Sequence, residues 1–175
     1  MHKRKQDFEM SILKYVNHNR RPSLAAMYSY LVNPEKTDVS GLLGYGVNPS
    51  CATEEMMFVQ WLYRFEGSCH PKLYQHVIFS FDVGCQLPFG LIRQISYEIG
   101  LTLLPDERQM LGTIHFKNTE KVHCHYMMNY ISIDGKPYRQ NHPLHYYKNR
   151  VNAVLQKYGL NDIVCYVPDY DEIAI

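Results

Sequence analysis

The sequence predicts an α+β fold in which helices pack on one mostly antiparallel sheet. Strand-like and helix-like segments alternate along the 175 residues, and two adjacent strand segments near the middle are separated by a short polar turn. Hydrophobic residues make up 46% of the chain, which is enough to build a core. A chain of this length is most simply one domain, so residues 1–175 are assigned to a single domain.

Local signals locate the elements of the first third of the chain. Residues 9–17 and 41–47 have the apolar content of short strands. Between them, Ser23 is an N-cap candidate for a short helix that Pro34 ends. A second helix is predicted over residues 52–66. Its apolar side chains follow near-helical spacing at Met56, Val59, Trp61, Leu62 and Phe65.

The rest of the chain alternates strand and helix signals. Predicted strands cover residues 75–82, 109–117, 121–133 and 162–167, and predicted helices cover residues 87–101 and 142–160. The pair Asp134-Gly135 is a strong turn signal, after which residues 136–139 can start a further strand. Gly159 is placed to cap the C-terminus of the last helix.

Charge is distributed unevenly along the chain. Residues 1–22 carry six basic and two acidic side chains, a net +4, and the last fourteen residues carry −4, although the whole chain is +1. A basic N-terminal arm is suited to a polyanion, but two solvated chain ends explain the same pattern.

Cysteine usage and hydropathy indicate the compartment. The five cysteines are scattered without a CxxC pair, which indicates free thiols in a reducing environment. No apolar run reaches the length of about 18 residues that a membrane span needs, and the N-terminus lacks the features of a signal peptide. We therefore expect a cytoplasmic protein without membrane insertion.

Residues 121–130 (KVHCHYMMNY) place two histidines on one predicted strand. Residues i and i+2 of a strand share a face, so His123 and His125 point the same way while Cys124 points the other way. His115, on the preceding strand, joins them only if the connection is an odd-length turn or contains a bulge. A two-residue turn without a bulge would put His115 opposite Cys124 and exclude a site built from all three histidines. The alternative to a metal site is the polar, solvent-facing half of a sheet.

Three imidazoles on neighbouring strands can bind one divalent metal ion. Because neutral imidazoles leave the 2+ charge of the ion in place, such an ion is suited to polarising a phosphate oxygen. Ligand softness favours Zn, Mn, Ni or Co over Mg at such a site. The trio would therefore make the protein an enzyme.

The first helix offers two tyrosines with different environments. Its buried stripe follows the spacing i, i+3, i+4, i+7 and comprises Leu24, Met27, Tyr28 and Leu31. Tyr30 lies roughly 100–120° away around the helix, so its hydroxyl can face a cleft, although an exposed surface tyrosine is the simpler explanation. A phenol beside a bound metal ion is suited to attack a phosphodiester and to form a covalent phosphotyrosine.

Four stretches of the chain together resemble the DNA relaxases of plasmid mobilisation and conjugation, in the P-type branch of the HUH endonuclease superfamily. They are YSYLVNPEKT (28–37), YQHVIFSF (74–81), IHFKNTEKVHCHYMMNYISIDGKPY (114–138) and NRVNAVLQKYGL (149–160). The combination of NPEKT with a later HxHxxxN is specific to this family. The resemblance implies a central five-stranded antiparallel sheet, like the palm of RNA-recognition modules, with the two-histidine strand in its middle.

The resemblance also implies roles for individual residues. Tyr30 corresponds to the nucleophile, and the metal triad corresponds to His115, His123 and His125. Residues that support the site correspond to His76, Ser80 and Asn129. The family often has an acid several residues after the second stretch, where this chain has only Asp82 nearby, and Asp82 is a candidate for assisting the deprotonation of Tyr30.

The implied function is metal-dependent nicking and rejoining of single-stranded DNA at an origin of transfer, through a 5′-phosphotyrosine intermediate. By family habit the metal is Mn or Mg, with Zn, Ni or Co able to occupy the site in a purified sample. The implied partners are single-stranded origin DNA, accessory relaxosome proteins and a type IV coupling protein in a bacterial cytoplasm. Candidate DNA contacts, which are equally plausible as solubility charges, are Lys3, Arg4, Lys5, Arg20, Arg21, Lys36, Arg139, Lys148 and Arg150.

Two rival functions remain at this point. One is a replication initiator or transposase of the same superfamily, against which the NPEKT string argues. The other is a non-catalytic domain that binds single-stranded nucleic acid, which lacks its usual aromatic signature here and leaves the clustered histidines unexplained.

Overall fold

The computed structural model describes residues 11–16, 23–63, 72–82 and 85–163. The strands within these ranges are β1 (Ile12–Val16), β2 (Leu42–Tyr45), β3 (Tyr74–Ser80), β4 (Met110–His115) and β5 (His123–Asn129). The helices are α1 (Leu24–Leu31), α2 (Ala52–Leu62), α3 (Phe89–Leu103) and α4 (Leu144–Lys157). Of these four helices, none combines the length and the apolar character needed to span a membrane. Residues 1–10 and 17–22 of the N-terminal arm and most of the predicted last strand lie outside the described ranges.

The five strands form one antiparallel sheet in the order β1-β3-β5-β4-β2. Strand β5, which carries the two adjacent histidines, lies in the middle and pairs with β3 on one side and β4 on the other. The predicted α+β class, with a five-stranded sheet centred on this strand, is therefore confirmed.

The prediction that residues 136–139 start a further strand is wrong. The chain forms only an isolated bridge between Ile131 and Pro137, because Pro137 has no N–H to extend a ladder. The preceding turn is present, and Gly135 takes the left-handed conformation with φ +84° and donates its N–H to the carbonyl of Ser132 at 3.0 Å.

Helices α3 and α4 cover one face of the sheet. Their buried side chains, which include Ile95, Ile99 and Val151, pack against Phe79 and Tyr126 in the main core. A close approach to α3 also explains a glycine within that helix. A Cβ at Gly100 would lie 2.1 Å from the hydroxyl oxygen of Tyr45. That hydroxyl lies within hydrogen-bonding distance of the α3 carbonyls of Ser96 and Tyr97.

Helices α1 and α2 cover only part of the opposite face. A second cluster joins Leu24, Met27 and Leu31 of α1 to Leu111 and Met127 of the sheet. The three histidines lie on this same face, because directly paired residues of an antiparallel sheet share a face.

The β1 side of this face is less covered. Lys14 pairs with Ile78, and Ile78 pairs with His125, so all three lie on one row of the sheet. Lys14 is exposed, whereas Ile78 and Ser80 are half-buried. The histidines therefore lie beside an open part of the sheet face.

The predicted apolar stripe of α2 is only partly buried. Trp61 is 64% exposed and Leu62 is 54% exposed, whereas Ala52, Thr53, Met56 and Gln60 face the sheet. A polar side chain, Gln60, occupies the buried face of the helix because it donates to the carbonyl of Leu73 at 2.8 Å and to Oδ1 of Asn129 at 2.9 Å. These buried hydrogen bonds fix the rotation of the helix more strongly than its apolar spacing.

Asn129 is fully buried at the centre of this polar network. Its Nδ2 donates to the carbonyl of Met56 at 3.2 Å and to Oε1 of Gln109 at 3.0 Å. Its Oδ1 accepts from Gln60 and from the N–H of Ile131. Asn129 thus joins α2, β4 and β5, which is a structural function.

We predict that Asn129→Ala lowers the free energy of unfolding by about 3 kcal/mol, because it leaves several buried polar groups without a partner. Urea denaturation followed by circular dichroism measures the change. The matched control is Asn141→Ala at an exposed position, for which we expect a change within about 0.5 kcal/mol. Equal stability of the two variants would contradict the structural function of Asn129.

Candidate metal and nucleophile site

The connection between β4 and β5 brings three histidines together. His115 pairs directly with His123 across seven intervening residues, 116–122, so the predicted odd-length connection is confirmed. The ring centroids lie 5.1 Å apart for His115 and His123, 4.4 Å for His115 and His125, and 4.9 Å for His123 and His125. One ligand nitrogen from each ring lies within 4.8 Å of the others.

Two of the imidazoles use one nitrogen to donate to a backbone carbonyl. Nε2–H of His115 donates to the carbonyl of Leu31 at 2.8 Å, and Nδ1–H of His123 donates to the carbonyl of Lys121 at 2.8 Å. Because a carbonyl only accepts, these bonds fix the tautomer of each ring. Nδ1 of His115 and Nε2 of His123 therefore carry lone pairs that can bind a metal ion.

His76 can orient the ring of His125, as the backbone carbonyls orient the rings of His115 and His123. Its Nε2 lies 2.9 Å from Nδ1 of His125, and the two rings stack with centroids 5.2 Å apart. When Nδ1–H of His125 donates to His76, the lone pair of His125 is on Nε2. This nitrogen is buried and has no hydrogen-bond partner among the described residues.

Burial keeps the trio neutral. It lowers the pKa of His115 to about 4, with smaller contributions in the same direction from His123 and Lys36. Burial also lowers the pKa of His125 to about 2, assisted by the other histidines and Lys36, and it lowers the pKa of His123. All three rings are thus uncharged near neutral pH, which is the form that binds metal ions.

These features fit a bound divalent ion. Nδ1 of His115 and Nε2 of His125 are buried and have no hydrogen-bond partner in the part of the chain that the structure describes. The same holds for the hydroxyl of Thr113, the residue that pairs with His125. Three neutral nitrogen donors, each oriented through its other ring nitrogen, are the usual protein environment of a bound transition metal. The His115–His123–His125 cluster can therefore hold a metal ion.

Helix α1 presents Tyr30 to this cluster. Ser23 caps the helix by accepting from the N–H of Ala26 at 3.1 Å. The hydroxyl of Tyr28 turns away from the histidines and donates to the carbonyl of Pro49 at 3.1 Å. Tyr30 is 46% exposed, and its ring centroid lies 5.9 Å from that of His115 and 5.5 Å from that of His125.

The NPEKT segment fastens the end of α1 to the end of β4. The carbonyl of Lys36 accepts from the N–H groups of both Phe116 and Lys117 at 3.0 Å. The side chain of Asn118, in the β4–β5 connection, donates to the carbonyl of Glu35 at 3.0 Å. The nucleophile candidate and the metal-ligand candidates are thus held by one hydrogen-bonded unit.

The other three predicted site residues, Ser80, Asn129 and Asp82, lie at different distances from the histidine cluster. Ser80 pairs with His123 on β3 and lies beside the cluster. Asn129 shares the strand face with His125 but lies four residues further on, about 13 Å along the strand, in the network described above. Asp82 accepts from the side chain of Asn161 at 3.2 Å and lines a cavity of about 300 Å³ with Cys85. Its assistance in deprotonating Tyr30 stays a prediction.

The predicted DNA contacts are also dispersed. Lys36 lies at the cluster, with its Nζ 5.0 Å from the ring centroid of Tyr30. Lys148 and Arg150 belong to α4, on the opposite face of the sheet, and Arg139 follows the turn after β5. The other predicted contacts, which lie outside the described ranges, are Lys3, Arg4, Lys5, Arg20 and Arg21.

Sequence reasoning missed two features of the site. The carbonyl of Leu31 orients His115, and a backbone group of a neighbouring element leaves no sequence signal. Lys14 shares the histidine face of the sheet, and strand parity would reveal this only once the pairing of β1 with β3 is known.

Comparison with known families agrees with this geometry. Residues 30–160 match the family described as "Relaxase: MobA/VirD2-like, nuclease domain". The chain belongs to this relaxase family. A search of curated proteins finds no significant match. The part of the relaxase domain that matches begins at Tyr30 and contains the three clustered histidines.

For the metal site of this relaxase domain, we predict that His125→Ala abolishes measurable Mn²⁺ binding in isothermal titration calorimetry, because it removes one of the buried nitrogen donors of the cluster. The control His145→Ala changes an exposed histidine of α4 and should bind Mn²⁺ like the unaltered protein. Unchanged Mn²⁺ affinity in His125→Ala would exclude this cluster as the binding site.

We further predict that His76→Phe weakens Mn²⁺ binding about 10- to 100-fold, because it removes the acceptor that orients His125. His76→Gln keeps an acceptor oxygen and should retain most of the affinity. The same titration measures both, and a His76→Phe variant with unaltered affinity would show that His76 only packs against the ring.

Proposed function

We propose that this protein nicks and rejoins single-stranded DNA by transesterification, with Tyr30 as the nucleophile, at an origin of transfer. The observation that carries the proposal is the position of the Tyr30 ring, 5.9 and 5.5 Å from the rings of two histidines that can share a metal ion. Membership of the relaxase family supports the nuclease chemistry.

The three histidines are suited to hold the ion that this chemistry uses. When bound, a divalent ion acts as a Lewis acid on a non-bridging oxygen of the scissile phosphate. We propose Mn or Mg as this ion, and three nitrogen donors favour Mn. His115, His123 and His125 supply no charge of their own, so the positive charge of the site remains available to the phosphodiester.

The exchange of bonds at phosphorus is balanced. The hydroxyl oxygen of Tyr30 forms a bond to phosphorus while the bond between phosphorus and the 3′-oxygen breaks. The phenolic proton leaves to solvent, which reaches the exposed side chain, and the 3′-oxygen takes up a proton. The strand downstream stays on Tyr30 through its 5′-phosphate. Reversal of the step, with the 3′-hydroxyl as the attacking group, rejoins the DNA.

The open part of the sheet face is the proposed path of the DNA strand. Lys14 and Lys36 lie on two sides of the histidine cluster and offer ammonium groups to backbone phosphates. Half-buried Ile78, between Lys14 and His125, offers an apolar surface to a base. In this proposal the setting is mobilisation of a plasmid or integrative element, with accessory relaxosome proteins and a type IV coupling protein as partners.

A covalent-adduct assay tests the proposal. We expect the protein with Mn²⁺ to give a slow-migrating band on a denaturing gel with a randomised single-stranded oligonucleotide pool labelled at its 3′ end. Tyr30→Phe should lose this band completely, because it removes the attacking hydroxyl. Peptide mass spectrometry of the adduct should place the 5′-phosphate on Tyr30.

The matched control is Tyr28→Phe, which removes a hydroxyl that, among the described residues, hydrogen-bonds to the carbonyls of Pro49 and Ser50. It should form the adduct at nearly the rate of the unaltered protein. Adduct formation that survives Tyr30→Phe but not Tyr28→Phe would move the nucleophile to Tyr28. Binding of the pool without any adduct, whichever metal is supplied, would favour the non-catalytic binding domain.

A further inference from the structure

The lysine of the NPEKT segment is held in place by its own backbone. The N–H of Lys36 donates to the carbonyl of Asn33 at 2.9 Å, and the carbonyl of Lys36 accepts from Phe116 and Lys117 at 3.0 Å. Phe116 directly follows His115, so the backbone of Lys36 is joined to the chain beside one of the metal-ligand candidates. The start of its side chain is therefore fixed at the rim of the histidine cluster.

The ammonium group of Lys36 is directed toward the site. Its Nζ lies 5.0 Å from the ring centroid of Tyr30. The ring centroid of Tyr30 in turn lies 5.9 Å from that of His115 and 5.5 Å from that of His125. A single cation thus lies near both the nucleophile candidate and the three metal-ligand candidates.

Lys36 also has no counter-ion among the residues that the structure describes. Lys117, whose N–H donates to the carbonyl of Lys36, differs in this respect. Nζ of Lys117 lies 2.7 Å from a carboxylate oxygen of Asp38 and also donates to the carbonyl of Thr37. Lys117 thus supports the loop, whereas the charge of Lys36 remains available to an anion.

We infer that Lys36 is a catalytic residue that binds a non-bridging oxygen of the scissile phosphate and stabilises the negative charge that develops when Tyr30 attacks. This inference rests on the proposed transesterification. The lysine takes no part in the exchange of bonds, which remains the formation of the bond from Tyr30 to phosphorus and the loss of the 3′-oxygen. It acts through a fixed positive charge at the point where charge increases.

Single-turnover cleavage separates this function from ordinary DNA contact. We expect Lys36→Met to lower the cleavage rate at saturating DNA roughly 100- to 1,000-fold, in line with the loss of one preorganised charge donor. The substrate is an oligonucleotide recovered from the adducts of the randomised pool. Lys36→Arg keeps the positive charge and should recover much of the rate. Lys157→Met, at an ion-paired lysine of α4 on the other face, is the matched control and should cleave normally.

DNA binding is measured in the Tyr30→Phe variant, which cannot cleave the oligonucleotide. Fluorescence anisotropy compares Tyr30→Phe with the double variant Tyr30→Phe/Lys36→Met on the same oligonucleotide. We expect the dissociation constant to rise only a few-fold, because the charge acts mainly in the transition state. Thermal denaturation of each variant confirms that the fold is retained.

The outcomes distinguish this inference from the proposed function. If the unaltered protein forms no adduct on Tyr30, the proposed function fails, and the inference fails with it. If it does form the adduct and Lys36→Met cleaves at the normal rate, only the inference about Lys36 is wrong. If Lys36→Met binds DNA much more weakly but cleaves at the normal rate once the DNA is saturating, Lys36 is a DNA contact and not a catalytic residue.

Discussion

The whole site depends on one hydrogen bond, from Nε2–H of His115 to the carbonyl of Leu31 at 2.8 Å. Leu31 is the last residue of α1, so its carbonyl has no partner within the helix and needs one from elsewhere. The bond meets this need and fixes the tautomer of His115 so that Nδ1 faces the cluster. It also holds the end of α1 against β4, and Tyr30 is the residue directly before Leu31. This contact between a helix end and a strand side chain, supported by the hydrogen bonds of Lys36 with Phe116 and Lys117, positions the nucleophile candidate relative to the metal-ligand candidates.

A second constraint comes from the central position of β5. Strands β3 and β4 pair with it on both sides, so neither the spacing of its side chains nor their direction can change without disrupting two ladders. His76 on β3 and His115 on β4 each meet the histidines of β5 across one of these ladders. Preorganisation of the trio is thus a property of the sheet, and α1 contributes the nucleophile candidate.

Local rules predicted the shared face of His123 and His125 and the position of Tyr30 outside the buried stripe, whereas the position of His115 depended on the length of the β4–β5 connection. Strand alternation puts His123 and His125 on one side, and helical spacing separates Tyr30 from the stripe of Leu24, Met27 and Leu31. The orientation of α2 was not predictable in this way. Apolar spacing favoured Trp61 and Leu62 as buried residues, but the hydrogen bonds of Gln60 and Asn129 turn a different side to the sheet. The contact of His76 with His125 and the place of Asp82 beside Asn161 depend equally on tertiary pairing, which no local pattern contains.

Cys124 lies between the two histidines in sequence, yet its thiol faces the opposite core, where it is fully buried and its pKa is raised to about 12. The pleat of the strand therefore keeps the thiol of Cys124 out of the histidine cluster, although Cys124 is adjacent in sequence to both histidines. Thiolates recruit thiophilic ions such as Zn²⁺ and Cu⁺, whereas a purely nitrogenous coordination sphere is more permissive toward harder ions. The pleat therefore influences which ion the site prefers. A one-residue shift in the register of β5 would replace the two histidine nitrogens on this face by the sulfur of Cys124.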